Sequence, residues 1–258
     1  MTAGMTASIR KTYKALSACI LRRAGLILFL CLFFLMVRVF LMPAVTPRAM
    51  RALLAHPAKA GFALSADERE AISDGLSGYL SGTRESAQVY LSLNNQSVSA
   101  FRPHELLHLK DVRDLFFLST TLASIAFYIS LAVIIVTLTA NTPRLAERVK
   151  TLAGATQAAS LAVFGILALL VLLGVFWFDQ AFIVLHKLLF SNDLWLLDPQ
   201  KDLLIQLMPQ RFFVEYARYA IKPVLSILSA LLVAATAVRA SAAFTLKKTT
   251  TFLIWSKP

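Results

Sequence analysis

Charged residues are scarce in this sequence. Only 16% of its 258 residues are Asp, Glu, Lys or Arg, whereas 58% are hydrophobic. A soluble globular domain has about 25% charged and about 45–50% apolar residues, so the composition excludes a water-soluble enzyme. With only two cysteines it also excludes a disulfide-stabilised scaffold. The high apolar content excludes an intrinsically disordered chain, which leaves an integral membrane protein.

Long uncharged runs are what the sequence has instead. Four stretches reach the roughly 20 residues that a helix needs to cross the hydrocarbon core. They lie at 24–45, 115–140, 153–178 and 223–246, and only Arg38 and Arg239 interrupt them. The sequence therefore predicts a mainly α-helical, polytopic membrane protein with four transmembrane helices.

The basic residues are distributed unevenly between the segments outside these runs. The flanks 1–23, 141–152 and 247–258 together hold eleven Lys and Arg residues and a single acid, Glu147. In the connecting segments 46–114 and 179–222, acidic and basic residues balance. Because Lys and Arg favour the cytoplasmic side, we expect both termini to be cytoplasmic and the two connecting segments to be extracytoplasmic. The net charge of +12 then reflects topology, and no nucleic-acid partner is expected.

The two outer segments contain signals for small structural elements. Ser65 and Glu68 form a capping-box pattern that opens a helix, and Gly82 is a typical helix end. Alternation over 89–101 predicts a β-hairpin that turns at Asn94-Asn95, and Pro103 begins a helix that runs into the second span. Residues 178–190 form a helix too apolar for water that follows a complete span, which is typical of an interfacial helix.

The sharpest local motif is His104-Glu105-Leu106-Leu107-His108, which matches the HExxH zinc-protease pattern. One continuation of that pattern requires Gly at 111 and His at 114, where aspartates stand instead. His104 also follows Pro103 in a first helical turn, where we expect it to face solvent. A zinc protease remains one alternative, and a non-enzymatic membrane sensor or assembly factor is another.

A second constellation lies on the same helix. Glu105, His108 and Asp111 are spaced three residues apart and share one broad face. Carboxylates beside an imidazole fix its tautomer and raise its basicity, as a general base requires, although an ordinary exposed helix face has the same spacing. His186 is flanked by Phe182 and Phe190 four residues away on either side, a pattern equally typical of a packed aromatic cluster.

Further motifs follow these histidines in the outer segments. The whole set comprises Glu105-x-x-His108-x-x-Asp111-Val112, Phe178-Asp179, His186, Phe190-x-Asn192-x-x-Trp195, Asp198-Pro199 and Pro209-x-x-Phe212-Phe213. In this order, the motifs resemble the bacterial lipoprotein intramolecular transacylase family. Leu109 stands where that family would have Met, and His104 is not part of its pattern.

The resemblance implies an enzyme of the bacterial cytoplasmic (inner) membrane whose active site faces the extracytoplasmic side. It implies transfer of the sn-2 acyl chain of a diacylglyceryl-lipoprotein to its own N-terminal cysteine amine, giving an N-acyl lyso-form product. The expected partners are diacylglyceryl-modified lipoproteins and membrane lipid, with no cofactor and no metal. The implied residues are catalytic His108 and His186, with His108 favoured as general base, supporting Glu105, Asp111 and Asp179, and substrate-binding Asn192, Trp195, Asp198 and Phe212.

Overall fold

The structure is a computed structural model that describes residues 2–55, 64–93, 96–139 and 145–255. His56, the predicted turn at Asn94-Asn95 and the first part of the predicted 141–152 loop lie outside the described residues. Of the described residues, 82% are in α-helices. Its elements are α1 (Thr2–Leu41), α2 (Pro47–Leu54), α3 (Ala66–Ser81), β1 (Tyr90–Leu93), β2 (Gln96–Ser99), α4 (Pro103–Thr139), α5 (Leu145–Phe176), α6 (Phe178–Leu189), α7 (Leu203–Leu207) and α8 (Gln210–Trp255).

Four of the helices are long and apolar enough to cross a membrane, which confirms the predicted number. They are α1, α4, α5 and α8, with candidate spans at Arg23–Val45, Pro103–Thr139, Leu145–Phe176 and Gln210–Lys248. Helix α4 begins at Pro103, which confirms the predicted helix that runs into the second span. Helix α8 extends beyond its predicted span at both ends, from Gln210 to Trp255. After α5, Trp177 leaves the helical conformation (φ −139°, ψ 45°), so α6 is a separate element.

The chain divides into two compact units. The first comprises the chain up to Met36, Leu122–Ala168 and the chain from Leu225 onward. Inside it, Arg239 Nη1 donates a hydrogen bond to Gln157 Oε1 at 2.8 Å, and Gln157 Nε2 donates to Thr236 Oγ1 at 2.9 Å. Arg239 thus has a polar partner within the apolar helices.

The second unit comprises Val37–Thr121 and Leu169–Val224, and it contains all the predicted site residues. Its helix α3 has the predicted capping box, with Ser65 Oγ accepting from Glu68 N and Glu68 Oε2 accepting from Ser65 N. The helix ends at Gly82, whose φ is 84° and whose Cβ, were there one, would lie 2.9 Å from Phe117 Cζ. Both predicted ends of this helix are therefore confirmed.

The predicted hairpin is also confirmed. Strands β1 and β2 are antiparallel, with Tyr90 opposite Ser99 and Leu91 opposite Val98. One face of β1 is buried, because Leu91 packs in the hydrophobic core of this unit, whereas the side chains of β2 are exposed. The chain then returns through the buried Phe101 to the start of α4, which carries the first candidate histidine.

Candidate active site

The two candidate histidines, far apart in the sequence, lie side by side. The ring centroids of His108 on α4 and His186 on α6 are 6.2 Å apart, with an angle of 36° between the ring planes. Phe190 contacts both, at 5.1 Å from His108 in an edge-on arrangement and at 5.7 Å from His186. The structure therefore brings together the two histidines that the resemblance implies as catalytic.

Aromatic packing holds α6 in this position. Phe182 packs 4.0 Å from the His186 ring and 5.5 Å from Phe213 at the start of α8. Trp195 lies on another side of His186, at 5.1 Å, and is buried. Aromatic pairs at such distances are favourable beyond the area they bury, so His186 is enclosed by rings rather than by charges.

A backbone hydrogen bond fixes the tautomer of His186. Its Nδ1 lies 2.7 Å from the carbonyl oxygen of Phe182, one helical turn earlier. A carbonyl oxygen only accepts hydrogen bonds, so Nδ1 carries the proton and the neutral ring has its lone pair on Nε2. Burial lowers the pKa of His186, and the bond to Phe182 offsets this only in part. The ring is therefore neutral at pH 7 and able to accept a proton at Nε2.

His108 is in a different state. Its side chain is buried, and its Nδ1 has no hydrogen-bond partner among the described residues. Buried polar atoms are normally paired, and unpaired ones concentrate at functional positions. The carbonyl of Phe182 determines that Nδ1 of His186 carries a proton. No neighbouring group in the described chain does the same for Nδ1 of His108.

Glu105 supports the site through the backbone. It is completely buried, its Oε2 accepts a hydrogen bond from Arg102 N at 2.7 Å, and its Oε1 accepts one from Leu204 N at 2.7 Å. Both carboxylate oxygens are thereby used, and neither bond goes to His108. Glu105 joins the first turn of α4 to the first turn of α7 and so fixes the position of the helix that carries His108.

Asp111 and Asn192 form a second connection to α4. Asn192 Nδ2 donates to Asp111 Oδ2 at 2.9 Å, and Asn192 Oδ1 accepts from Leu194 N at 3.1 Å. The segment after α6 is thus attached to α4 one turn beyond His108. Both residues were among the predicted site residues, and the structure brings them together.

The remaining predicted residues, Asp179, Asp198 and Phe212, make no observed ring contact or hydrogen bond with either histidine in the described part of the chain. Asp198 accepts a hydrogen bond from Gln200 N and pairs with Lys201 at 3.2 Å, and these two contacts lower its pKa. Phe212 is part of the hydrophobic core, and Asp179 is exposed at the start of α6. Their observed contacts are structural.

Sequence analysis did not identify Asp202, which is almost completely buried. Its Oδ2 accepts from Asp198 N at 2.7 Å and lies 3.0 Å from His104 Nε2. Burial by itself raises the pKa of Asp202, but the bonds from His104 and Asp198 and the nearby Arg102 charge outweigh burial, and the pKa is lowered. The only sequence signal is an acid directly before a short apolar run, a common helix-start pattern.

The contact with Asp202 also determines the surroundings of His104. The sequence predicted a solvent-facing residue, but the side chain is only partly exposed and pairs with buried Asp202. The two histidines of the HExxH match thus have separate partners, a carboxylate for His104 and aromatic rings for His108. In the described ranges, no three His, Cys, Asp or Glu side chains are grouped closely enough to hold a metal ion.

Helix α6 presents a large apolar surface beside the histidines. Val184, Leu185 and Leu188 are all exposed, Leu188 to 79%. A helix with this composition is expected to lie in the polar–apolar boundary of a membrane, with its apolar side chains among the acyl chains. The histidine on α6 would then lie close to that boundary.

A family model and solved structures that match this chain belong to the same family. The model of the Lit family, described as lipoprotein intramolecular transacylase Lit, matches residues 24–213. The structure of the membrane-integral lipoprotein intramolecular transacylase Lit from Bacillus cereus superposes with a TM-score of 0.53 and 20% identity, over 91% of this chain and 99% of that chain. A histidine-to-alanine variant of the same protein gives 0.54 and 19%, over 92% and 98%.

At these identities the solved structures show the shared fold. A comparison with curated proteins gives no match. Nothing in these comparisons supports the zinc protease or the non-enzymatic alternative.

Proposed function

Because this chain belongs to the family of lipoprotein intramolecular transacylases and is a membrane-integral acyltransferase, we propose that it acts on diacylglyceryl-modified lipoproteins. The acyl chain on the sn-2 oxygen moves to the α-amine of the same N-terminal cysteine. The acyl carbon–oxygen ester bond breaks and an amide bond forms. The ammonium loses two protons, of which one remains on the glycerol oxygen and the other is released.

The observation that carries this proposal is the pair of imidazoles in an aromatic enclosure. His186 is the general base, because its Nδ1 proton is held by Phe182 and its Nε2 is left to accept a proton from the ammonium. The sequence alone favoured His108 for this role. The fixed tautomer of His186 favours the opposite assignment.

His108 then acts on the leaving group. Its Nδ1 is not committed to a protein partner, so the ring can receive the first proton that His186 removes from the ammonium and deliver it to the glycerol oxygen. The second ammonium proton is then taken by His186 and released, and both rings return to their neutral state. Two imidazolium ions with centroids 6.2 Å apart in an apolar enclosure would repel each other strongly. The pair therefore holds one extra proton at a time, which couples deprotonation of the amine to protonation of the alcohol.

No protein nucleophile is required, because donor and acceptor belong to one molecule. Closing roughly an eight-membered ring places the amine against the ester carbonyl, and holding that geometry supplies much of the rate enhancement. Phe190 packs against both histidines and Trp195 packs against His186, and these rings restrict access of the water that would hydrolyse the ester. From the charge distribution, the site lies on the extracytoplasmic side of the bacterial cytoplasmic membrane.

Replacing each histidine by asparagine tests this function. Proton transfer contributes about 10²–10⁴-fold, so His108→Asn and His186→Asn should each reduce conversion of a diacylglyceryl lipopeptide to its N-acyl lyso form by about that factor. Residues that act as a unit are non-additive, so the double variant should be little worse than either single one. Conversion is measured by mass spectrometry of the lipopeptide.

His104→Asn is the matched control, because His104 lies one turn earlier on α4 and contacts Asp202, not the His108–His186 pair. The asparagine amide can still donate a hydrogen bond to the Asp202 carboxylate, so this connection is kept. It should retain conversion within a few-fold of the unmodified protein. Full conversion by a correctly inserted His108→Asn or His186→Asn variant would refute the assigned roles.

A further inference from the structure

The substrate's amine must arrive as a cation. An α-amino group has a pKa of about 7.7–8, so the cysteine amine is mainly protonated at neutral pH. Moving that charge into an enclosure of aromatic rings is unfavourable unless an anion receives it. The carboxylates around the two histidines therefore determine how the ammonium is bound.

Most nearby carboxylates already have strong partners. Glu105 is completely buried and accepts two backbone N–H groups, and Asp202 is buried against His104. Asp114, one turn beyond Asp111, pairs with Lys110 at 2.9 Å. Asp198 pairs with Lys201. None of these four acids is available to a cationic substrate without losing an existing contact.

Asp111 differs from them in its partner. It lies one turn from His108, close enough for a Coulombic interaction with that ring. Its observed hydrogen bond is from a neutral group, Asn192 Nδ2, to one carboxylate oxygen. Across the described ranges, no Lys, Arg or His nitrogen lies within ion-pair distance of it. Lys110 attracts Asp111 at longer range but forms its ion pair with Asp114. The negative charge of Asp111 is therefore oriented by Asn192 and has no ion-pair partner among the residues that the structure describes.

The orientation of Asn192 is determined by the backbone. Leu194 N can only donate, so the Asn192 atom that it contacts must be the amide oxygen, and the amide nitrogen necessarily faces Asp111. Asn192 consequently holds Oδ2 of Asp111 and leaves Oδ1 for another donor. A protonated amine is the donor whose charge and hydrogen-bonding groups fit that oxygen.

We infer that the Asp111 carboxylate binds the α-ammonium of the lipoprotein substrate, with Asn192 as its positioning residue. The inference rests on the proposed function, because it uses the amine as acyl acceptor. It also gives the site a means of discriminating substrate from product. After transfer the nitrogen is a neutral amide, so the attraction to Asp111 is lost and the product is released more readily than the substrate.

Binding of non-reacting ligands tests this directly. The probe is a lipopeptide with two ether-linked alkyl chains and a free N-terminal amine, which has no acyl group to transfer. It is compared with the same lipopeptide acetylated at that amine, with both affinities measured in the same detergent. We expect the unmodified protein to bind the free amine about tenfold more tightly or better, as charge-assisted hydrogen bonds to a carboxylate imply.

Asp111→Asn should reduce this preference to near unity, whereas Asp114→Asn, the matched change one turn further along α4, should leave it intact. Asp111→Glu, which keeps the charge, should restore part of it. If Asp111 had only a structural role, Asp111→Asn would lower the affinities for both lipopeptides equally and leave the ratio of the two affinities unchanged. An unchanged ratio in a folded Asp111→Asn protein, or no preference in the unmodified protein, would overturn the inference.

These outcomes are distinguishable from failure of the proposed function. A protein that prefers the free amine through Asp111 but leaves an ester-linked lipopeptide unconverted would refute the proposed reaction and retain the ammonium site. A protein that converts the ester-linked lipopeptide but shows no preference for the free amine would retain the proposed reaction and refute the ammonium site.

Discussion

The replacement Glu105→Gln tests how the site is held together. Glutamine has nearly the volume of glutamate, so α4 keeps its packing, but only one of its two terminal atoms can accept a hydrogen bond. The carboxylate accepts two backbone N–H groups, from Arg102 and from Leu204, which is 99 residues away in the sequence. In the variant the amide oxygen keeps one of these bonds. The amide nitrogen faces the other backbone N–H, and because both groups are donors, that hydrogen bond is lost.

The magnitude follows from the type of bond that is lost. A hydrogen bond to a charged group contributes about 1.5–3 kcal/mol, and Glu105 is completely buried, so solvent does not replace it. At about 1.4 kcal/mol per factor of ten, the equilibrium between attached and detached α7 should shift by roughly 10- to 100-fold. Because Trp195 precedes α7 and packs on His186, the detached state also loses part of the histidine enclosure.

Amide hydrogen exchange measures this shift. In Glu105→Gln, exchange over 198–208 should be faster by roughly 10- to 100-fold, whereas Glu85→Gln, a change of the same kind at an exposed position, should leave it unaltered. The same Glu105→Gln variant should also convert lipopeptide more slowly, by a smaller factor than the histidine variants. Unaltered exchange at 198–208 in Glu105→Gln would show that the bond to Leu204 does not hold α7.

Two further predictions concern pH and topology. Burial lowers the pKa of His186 below its usual 6.5, and the base must be neutral to act. The rate of single-turnover conversion should therefore fall only below about pH 6.5. A midpoint of this pH dependence at or above 6.5 would contradict the assignment. A phosphatase reporter fused after Gly82 or after Asn192 should be active outside the cytoplasm, because basic residues concentrate in the opposite flanks, and activity confined to the cytoplasm at both fusions would reverse the topology.

The parts of the fold that could be predicted from the sequence depend on local signals. The Ser65 and Glu68 capping box, the glycine at 82 and the alternation around Leu91 each act over a few residues, and all three elements were confirmed. The four apolar helices were equally clear, because burial in hydrocarbon constrains every residue of a span. The start of α4 at Pro103 was also predicted, because proline favours the first turn of a helix. The ends of α8 were not, because this helix begins at Gln210 and continues through polar residues and Pro223 into the predicted span.

The connections that assemble the site could not be predicted in the same way. Glu105 to Leu204, Asp111 to Asn192 and His104 to Asp202 all join α4 to the segment that follows α6. A backbone N–H group is present at every residue except proline, so no residue type in 202–208 marks Leu204 as a partner of Glu105. Spacing on α4 showed which side chains share a face and left open what that face contacts.

The spacing Glu105, His108 and Asp111 therefore combines three different tasks on one helical face. At the first position the carboxylate is buried and saturated, and it fixes the backbone. At the second, an imidazole with an uncommitted Nδ1 lies beside His186. At the third, the carboxylate is held by a neutral amide and keeps its charge for a ligand. Since each step is one helical turn, moving any of the three by a single residue would rotate it about 100° away from its partner, because 3.6 residues complete a turn. The three side chains are consequently interdependent in position although their chemical tasks are separate.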